Sequence, residues 1–475
     1  MERKVTRRLR AGSVAAGALS LVGAVFGADA LVTTTAQEHW RNASSEIAAG
    51  VAEGATKLAV DTGRTDQTII GFGVCMSELS HDALAVLSAG ERKTVFDEMY
   101  SPEGGAFTVL RTPIGASDFS RDFYSYAETP DDFEMAHFSI ARDEKGLLPL
   151  IREAQSRVPA DVLKIWASPW CPPAWMKTNG KAESRPDSVN DLKPEDRIFE
   201  GEDGFICDDR HFRAYARYFR KYVEAYRAAG VPLWMVMPQN EFNSDQNFPS
   251  CTWSAGQLAK FIGQYLGPAL EGSGVELYFG TMERPNAALL APVLDRPAYA
   301  KYVKGAAFQW AGAGALGAIR AKHPELTLVM SEQECGDGRN DWGHAMHCWD
   351  LMCHYLGNGV SVYDYWNMAL KKDGLSHWGW RQNSLVVVDA ETRAWSWTHE
   401  YYVLKHLSRY VRRGAKRIRL DGDARAAMAF ANPDGSVVVA LRNAASTPTR
   451  VAVGAKGRTL TVTLPADSVS TLVME

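Results

Sequence analysis

Two apolar runs in this chain end in acidic residues. Pro232-Leu233-Trp234-Met235-Val236-Met237 leads into Pro238-Gln239-Asn240-Glu241. Leu326-Thr327-Leu328-Val329-Met330 leads into Ser331-Glu332-Gln333-Glu334-Cys335. A carboxylate that closes a buried strand is poorly solvated unless it has a partner or a task. Taken singly, each is equally a satisfied polar residue at a strand end. Taken as a pair, they suit cleavage of a glycosidic bond, in which one carboxyl protonates the leaving oxygen and the other attacks or activates water. Glu332 and Glu334 are two apart and share a face on a strand, so periodicity leaves both open as the second carboxylate.

The elements that must position this pair form a regular series. Apolar runs at 68–76, 107–113, 162–167, 233–237, 275–281, 306–310, 326–330 and 360–366 alternate with helical patterns such as 208–229, 254–270 and 342–356. About eight strand–helix units in a row predict an α/β fold, a (β/α)8 TIM barrel rather than an open sheet. Barrel enzymes carry their chemistry where strands end and loops begin. The second run ends in Arg111-Thr112-Pro113, followed by Asp118, and the third in Ser168-Pro169-Trp170. The fourth supplies Asn240 and Glu241, the sixth Gln309 and Trp310, the seventh Glu332, and the eighth Trp366 and Asn367. Such a mouth offers polar groups for hydroxyls and indole faces for a pyranose ring.

After about residue 411 the pattern becomes strands and turns. Ala427–Ala431, the turn Asn432-Pro433-Asp434-Gly435 and 436–441 read as a hairpin, with further strand-like runs at 450–453, 459–464 and 468–474. The predicted organisation is a signal peptide at 1–30, a flexible N-terminal segment at 31–55 and a strand at 56–66 joining the side β-domain. A catalytic barrel at 67–410 and a small sandwich-like C-terminal β-domain at 411–475 complete it.

The 475 residues suffice for a barrel plus a small domain. With a net charge of -4, nothing points to nucleic acid as a partner. The N-terminus has a basic stretch to Arg10, an apolar run from Ala11 to Phe26 and the small-x-small site Ala28-Asp29-Ala30, which is signal-peptide architecture. An exported protein, secreted or periplasmic, is expected, with Arg7-Arg8 loosely matching a twin-arginine signal. The apolar run is short for a membrane anchor, and no later segment reads as transmembrane. The seven cysteines include no CxxC, and export would permit one or two bridges.

Four stretches resemble glycoside hydrolase family 30. They are 110–119, 124–133, Ala167-Ser168-Pro169-Trp170 with Met176-Lys177-Thr178-Asn179-Gly180, and Gln239-Asn240-Glu241. The similarity extends from about Val60 to the C-terminus. It implies a (β/α)8 barrel with a side β-domain and a retaining β-glycosidase of glucosylceramidase or β-1,6-glucanase type, acting on a β-glucoside without cofactor or metal. By the same resemblance Glu241 is the general acid/base and Glu332 the nucleophile, and the Ser-Glu register after Leu-Val-Met selects Glu332 over Glu334. Asn240 would bind the sugar 2-hydroxyl, and Asp118 and Trp170 the glucose hydroxyls. Trp310, Trp366 and Asn383 fall at further pocket positions, Trp253 at the entrance, and Arg111 would support the nucleophile's charge. Phe242 stands where many members have Pro, and Gln309 and Ala311 flank Trp310 where glucocerebrosidase has His and Tyr. Stretches 172–175, 334–342 and 378–385 look closer to the microbial branch. No obligate protein partner is evident.

Three other readings compete. Gly312, Gly314 and Gly317 form G-x-G-x-x-G after a strand, with Glu332 about 20 residues on, as in a dinucleotide-binding unit. The bulky Phe308-Gln309-Trp310 before it argues against an NAD-dependent oxidoreductase. His344, His347, Cys348, Cys353 and His354 offer metal-ligating groups, but their spacing fits no standard zinc site. A non-catalytic carbohydrate-binding barrel would have little reason to keep both Glu241 and Glu332.

Overall fold

The computed structural model describes residues 28–422 and 427–475. The basic and apolar N-terminal stretch, and with it the predicted signal peptide through residue 27, lies outside the described residues. Eight parallel strands close a barrel in chain order: Gly71–Cys75, Val109–Pro113, Lys164–Ser168, Met235–Val236, Glu276–Met282, Val303–Gln309, Thr327–Glu332 and Val360–Tyr365. Closure is made by the first strand, which pairs with both the second and the eighth. Inside the barrel, Val109, Trp166, Met235, Met237, Tyr278, Ala307, Val329 and Val362 form one packed layer. The alternate residues of the same strands face outward onto the helices, as the two-residue period of a strand requires.

The helices are fixed locally by caps and apolar stripes. Asp208 caps Asp209–Ala228 by accepting from the His211 amide, and Phe212, Tyr215, Phe219, Tyr222 and Tyr226 bury one face. Asp341 caps Trp342–Gly357 in the same way, through the His344 amide. Among the described residues, no helix is long and apolar enough to cross a membrane.

The side domain draws on both ends of the chain. Its sheet contains Lys416–Gly422, Ala427–Ala431, Val437–Asn443, Thr449–Ala455, Arg458–Leu464 and Ser468–Met474. Thr56–Thr68 lies within it, antiparallel to Lys416–Gly422 and parallel to Thr449–Ala455. Alternation again divides the work. Val437, Val439 and Leu441 pack in the domain's own core, while Val438 and Ala440 pack toward the barrel.

The segment 31–55, expected to be loosely held, is built into this sheet instead. Ala30–Thr34 pairs antiparallel with Ser468–Met474, Arg41–Asn42 pairs with it in turn, and Ala48–Ala49 edges Arg458–Leu464. Leu31 and Ala43 are fully buried, and the sheet pays for their ordering with apolar contacts and ladder bonds. Asp29 and Ala30, expected within the signal peptide at 1–30, also belong to this sheet, Asp29 through an ion pair to Arg458 at 2.6 Å. His406, on the barrel helix His399–Ser408, bonds Thr471 Oγ1 and Thr34 Oγ1, each at 2.9 Å, and so joins both terminal strands to the barrel. All seven cysteines are free, so no bridge forms.

Candidate active site

A pocket of about 180 Å³ opens at the C-terminal ends of the barrel strands. That is below the roughly 300–1,000 Å³ of sites that enclose drug-sized ligands, and it suits one sugar ring. Asp118, Trp170, Asn240, Glu241, Trp310 and Glu332 all line it. Glu241 and Glu332 are both almost fully buried, at 7% and 6% exposed.

The two carboxyl groups have different surroundings. Glu332 Oε2 accepts from Arg111 Nη1 at 2.7 Å, and its Oε1 from Trp310 Nε1 at 3.4 Å. Glu241 meets only neutral amides: Gln309 Nε2 at 3.2 Å and Gln246 Nε2 at 3.4 Å. Burial, then the like charges of Glu283, Glu332 and Asp118, push the Glu241 carboxyl well above the ordinary carboxylate range. Burial raises Glu332 too, but the Arg111 cation and the Trp310 N–H oppose it. The cation beside Glu332 thus favours its charged form, while the surroundings of Glu241 favour its protonated form.

Arg111 organises the floor of the site. Its Nη1 also donates to the Ser331 carbonyl at 3.0 Å, and its Nη2 to Ser168 Oγ at 3.1 Å and Asn240 Oδ1 at 2.7 Å. One guanidinium thus ties the second, third, fourth and seventh strand ends together. It lies 4.5–5.1 Å from the ring centroids of Trp166, Trp170 and Trp366, an aromatic box that holds a buried cation. Asn240 Oδ1 also takes Thr281 Oγ1 at 3.0 Å and Gln309 Nε2 at 3.4 Å. Three donors on that oxygen turn the Nδ2 group away from Arg111, free to donate to a ligand.

Backbone strain falls on the same residues. Glu241 and Trp310 have φ of 47° and 48°, in the left-handed region that non-glycine residues avoid at a cost of about 1–3 kcal/mol. The Glu241 amide is satisfied by Thr281 Oγ1 at 2.9 Å. Asp118 Oδ1 is buried with no partner, although its carboxyl stands well above the usual range through burial and the Glu332 charge. An orphaned acceptor at a pocket wall is what a ligand hydroxyl would satisfy.

Three residues expected at the pocket do not line it. Trp366 is 1% exposed and stacks on Trp170 at 5.0 Å, so it braces Arg111 from behind. Trp253, expected at the entrance, is buried against Phe205 at 4.6 Å and reaches the site indirectly, its Nε1 3.4 Å from Gln239 Oε1 and its amide donating to the Phe242 carbonyl at 2.6 Å. Asn383 is fully buried, and its Oδ1 accepts from the Gly338 and Asn340 amides at 2.8 and 3.1 Å. Its neighbour Gln382 faces the pocket instead. The strand ends at Glu332, and Glu334 turns outward to His347 Nε2 at 2.9 Å.

Glu283, Gln246, Phe248 and Trp380 also line the pocket, and the sequence reading placed none of them there. Glu283 follows the fifth strand directly, so the strand-end rule could have found it. The other three sit on long loops with no comparable signal. Of the histidines and cysteines of 344–354, four side chains are spent on other bonds: His344 to the Glu334 carbonyl, His347 to the Glu334 carboxylate, Cys348 to Gln333 and His354 to the Ala313 carbonyl; Cys353 packs against the core. Among the described residues, no group of three or more His, Cys, Asp or Glu is arranged to hold a metal ion. The G-x-G-x-x-G stretch lies in a closed barrel rather than at the crevice of an open sheet, and its first glycines meet a protein loop described below.

Comparison with known proteins agrees with this arrangement. A family profile described as "Glycosyl hydrolase family 30 TIM-barrel domain" matches residues 69–411, and one described as "Glycosyl hydrolase family 30 beta sandwich domain" matches 414–472. The chain is 28% identical to lysosomal acid glucosylceramidase of Mus musculus, over 80% of this chain and 76% of that protein. It is 25% identical to an endo-1,6-beta-D-glucanase of Aspergillus fumigatus, over 95% of this chain and 99% of that one. Among solved structures, SrfJ from Salmonella typhimurium superposes with a TM-score of 0.83 at 24% identity, covering 94% of this chain and 99% of that one. The endo-beta1,6-glucanase BT3312 does so at 0.79 and 22%, with the same coverage. At that identity the two structures speak for the fold alone.

Proposed function

The chain belongs to glycosyl hydrolase family 30, and from that premise we propose that it hydrolyses β-glucosidic bonds by double displacement, with Glu332 as nucleophile and Glu241 as acid/base. One observation carries the assignment of roles: of Glu241 and Glu332, only Glu332 pairs with a cation, whereas Glu241 meets neutral amides. In the first step Glu332 Oε attacks the anomeric carbon, the bond to the leaving oxygen breaks, and Glu241 gives that oxygen its proton. In the second, water attacks the same carbon, its proton passes to Glu241, and Glu332 leaves as a carboxylate. Asn240 Nδ2 and the unpartnered Asp118 Oδ1 supply a donor and an acceptor for sugar hydroxyls.

The aglycone would leave past an apolar rim. Trp380 and Phe248 both line the pocket, their ring centroids 5.9 Å apart, and Trp380 is exposed. A pocket for one sugar with an apolar exit supports an exo-acting, glucosylceramidase-like enzyme. The N-terminal pattern supports export.

The test is to give the purified protein 4-nitrophenyl β-glucoside, glucosylceramide and a β-1,6-glucan in parallel and to size the products. Glucose from the first two, with no oligosaccharides from the polymer, is expected. Oligosaccharides released from the polymer would make it an endo-β-1,6-glucanase, and no turnover of any β-glucoside would overturn the sugar assignment.

A further inference from the structure

The fifth strand, Glu276–Met282, ends beside the proposed acid/base. Thr281 contacts both the Glu241 amide and Asn240 Oδ1, so this strand end is locked to the Asn-Glu pair. The residue after the strand, Glu283, lines the pocket. Its Oε1 takes Arg284 Nη1 at 2.9 Å, while its Oε2 is buried with no partner. Arg284 is itself drawn outward by Glu200, at 3.0 Å from Nε and 2.8 Å from Nη2.

The glycine motif explains how Glu283 is seated. A Cβ on Gly312 would stand 2.1 Å from the Met282 carbonyl oxygen, and one on Gly314 would stand 2.8 Å from Pro285 Cβ. Only glycine lets the turn Trp310–Ala315 lie directly on 282–285. The spacing that reads as a phosphate cradle is thus a packing requirement of the loop that presents Glu283.

We propose that Glu283 is a positioning residue that keeps the proton on Glu241 until the leaving oxygen takes it. This rests on the glycosidase reading above. The charged groups facing Glu241 are Glu283, Glu332 and Asp118, and among the described residues no cation pairs with it. Glu283 lines the same pocket as Glu241 with a buried, unpartnered Oε2, and its charge pushes the Glu241 carboxyl up. Its role also outlasts that of Glu332. When Glu332 bonds to the sugar its charge is consumed, whereas the Glu283 charge remains and keeps Glu241 basic enough to accept the proton from water.

The test compares Glu283→Gln with the unsubstituted chain across pH, on octyl β-glucoside and 2,4-dinitrophenyl β-glucoside. The octyl alcohol needs a proton to leave and the dinitrophenolate does not. The alkaline limb of kcat/KM on octyl glucoside should move down by about one pH unit. The loss on octyl glucoside at neutral pH should exceed that on the dinitrophenyl glucoside by about tenfold. Arg284→Gln leaves the Glu283 charge unshielded and should move the same limb upward. An unmoved limb, or equal losses on both substrates, would overturn the proposal while leaving the glycosidase reading intact. Failure of the unsubstituted chain to turn over the dinitrophenyl glucoside would overturn both.

Discussion

Arg111 Nη1 lies 2.7 Å from Glu332 Oε2, and among the described residues it is the one cation paired with either proposed catalytic carboxyl. Arg111 is itself fully buried, so neither charge is solvated and each depends on the other. Replacing it with methionine of similar length should leave Glu332 to neutralise itself by protonation. Activity should fall by roughly 100-fold or more, and the acid limb of kcat/KM should move up. A pH series on Arg111→Met, with circular dichroism as a check on folding, measures both; an unmoved acid limb would speak against Glu332 as the charged partner.

The opposed surroundings of the pair fix the shape of the pH profile. Activity needs Glu332 ionised and Glu241 protonated, and both carboxyls are raised, Glu241 further. The profile of kcat/KM should be a bell whose acid limb lies above the ordinary glutamate value and belongs to Glu332. The alkaline limb belongs to Glu241, so it should be present on octyl β-glucoside and absent or much weakened on dinitrophenyl β-glucoside, whose departure needs no proton.

Asn383 should matter for stability rather than for binding. Its Nδ2 donates to Glu400 Oε1 at 2.6 Å, and burial raises the Glu400 carboxyl to about 7. Asn383→Ala strands this buried group and two loop amides, at a cost of about 1–3 kcal/mol. Chemical denaturation should show that loss, while KM for an aryl β-glucoside shifts by less than about twofold. A large KM change with unaltered stability would return Asn383 to the pocket wall.

His406 makes the junction of barrel and side domain sensitive to acid. Burial, then the Lys405 charge, lowers its pKa from 6.5 to about 3. A folded-state value below the unfolded one means that the unfolded chain binds the extra proton, so the stabilising contribution is complete above pH 6.5 and is lost as pH falls toward 3. The full loss is on the order of 5 kcal/mol. Buried carboxyls such as Asp364, raised to about 7, contribute with the opposite sign, so the difference between parent and variant isolates the histidine. His406→Gln should be less stable at pH 7 but should lose about 2–3 kcal/mol less than the parent on going to pH 4.5. Parallel losses would contradict this.

The barrel was legible because its signal is local: each strand and helix announces itself by the period of its apolar residues. The strand Ala30–Thr34 was not, because it is defined by Ser468–Met474 at the other end of the chain, and nothing within 31–55 records that pairing. That Glu241, Glu332 and Arg111 meet at one mouth was legible from strand ends, where position along the chain also fixes position at the mouth; the choice of Glu332 over Glu334 and the part assigned to Arg111 came from the family resemblance alone. Trp253 and Asn383 show where that logic stops. A loop motif gives the neighbourhood of a side chain, and packing decides whether it faces the cavity or the layer behind. Glu283 is the converse case, a strand-end carboxylate whose signal was present but had no second motif beside it.

The most direct test of the central claim is to trap the glycosyl-enzyme. Incubation with 2-deoxy-2-fluoro-β-glucosyl fluoride, whose fluorine slows the second step, should add one fluoroglucosyl unit to the intact mass, and peptide mapping should place it on Glu332. A label on Glu334 or Glu241, or no label on an enzyme that turns over β-glucosides, would contradict the account.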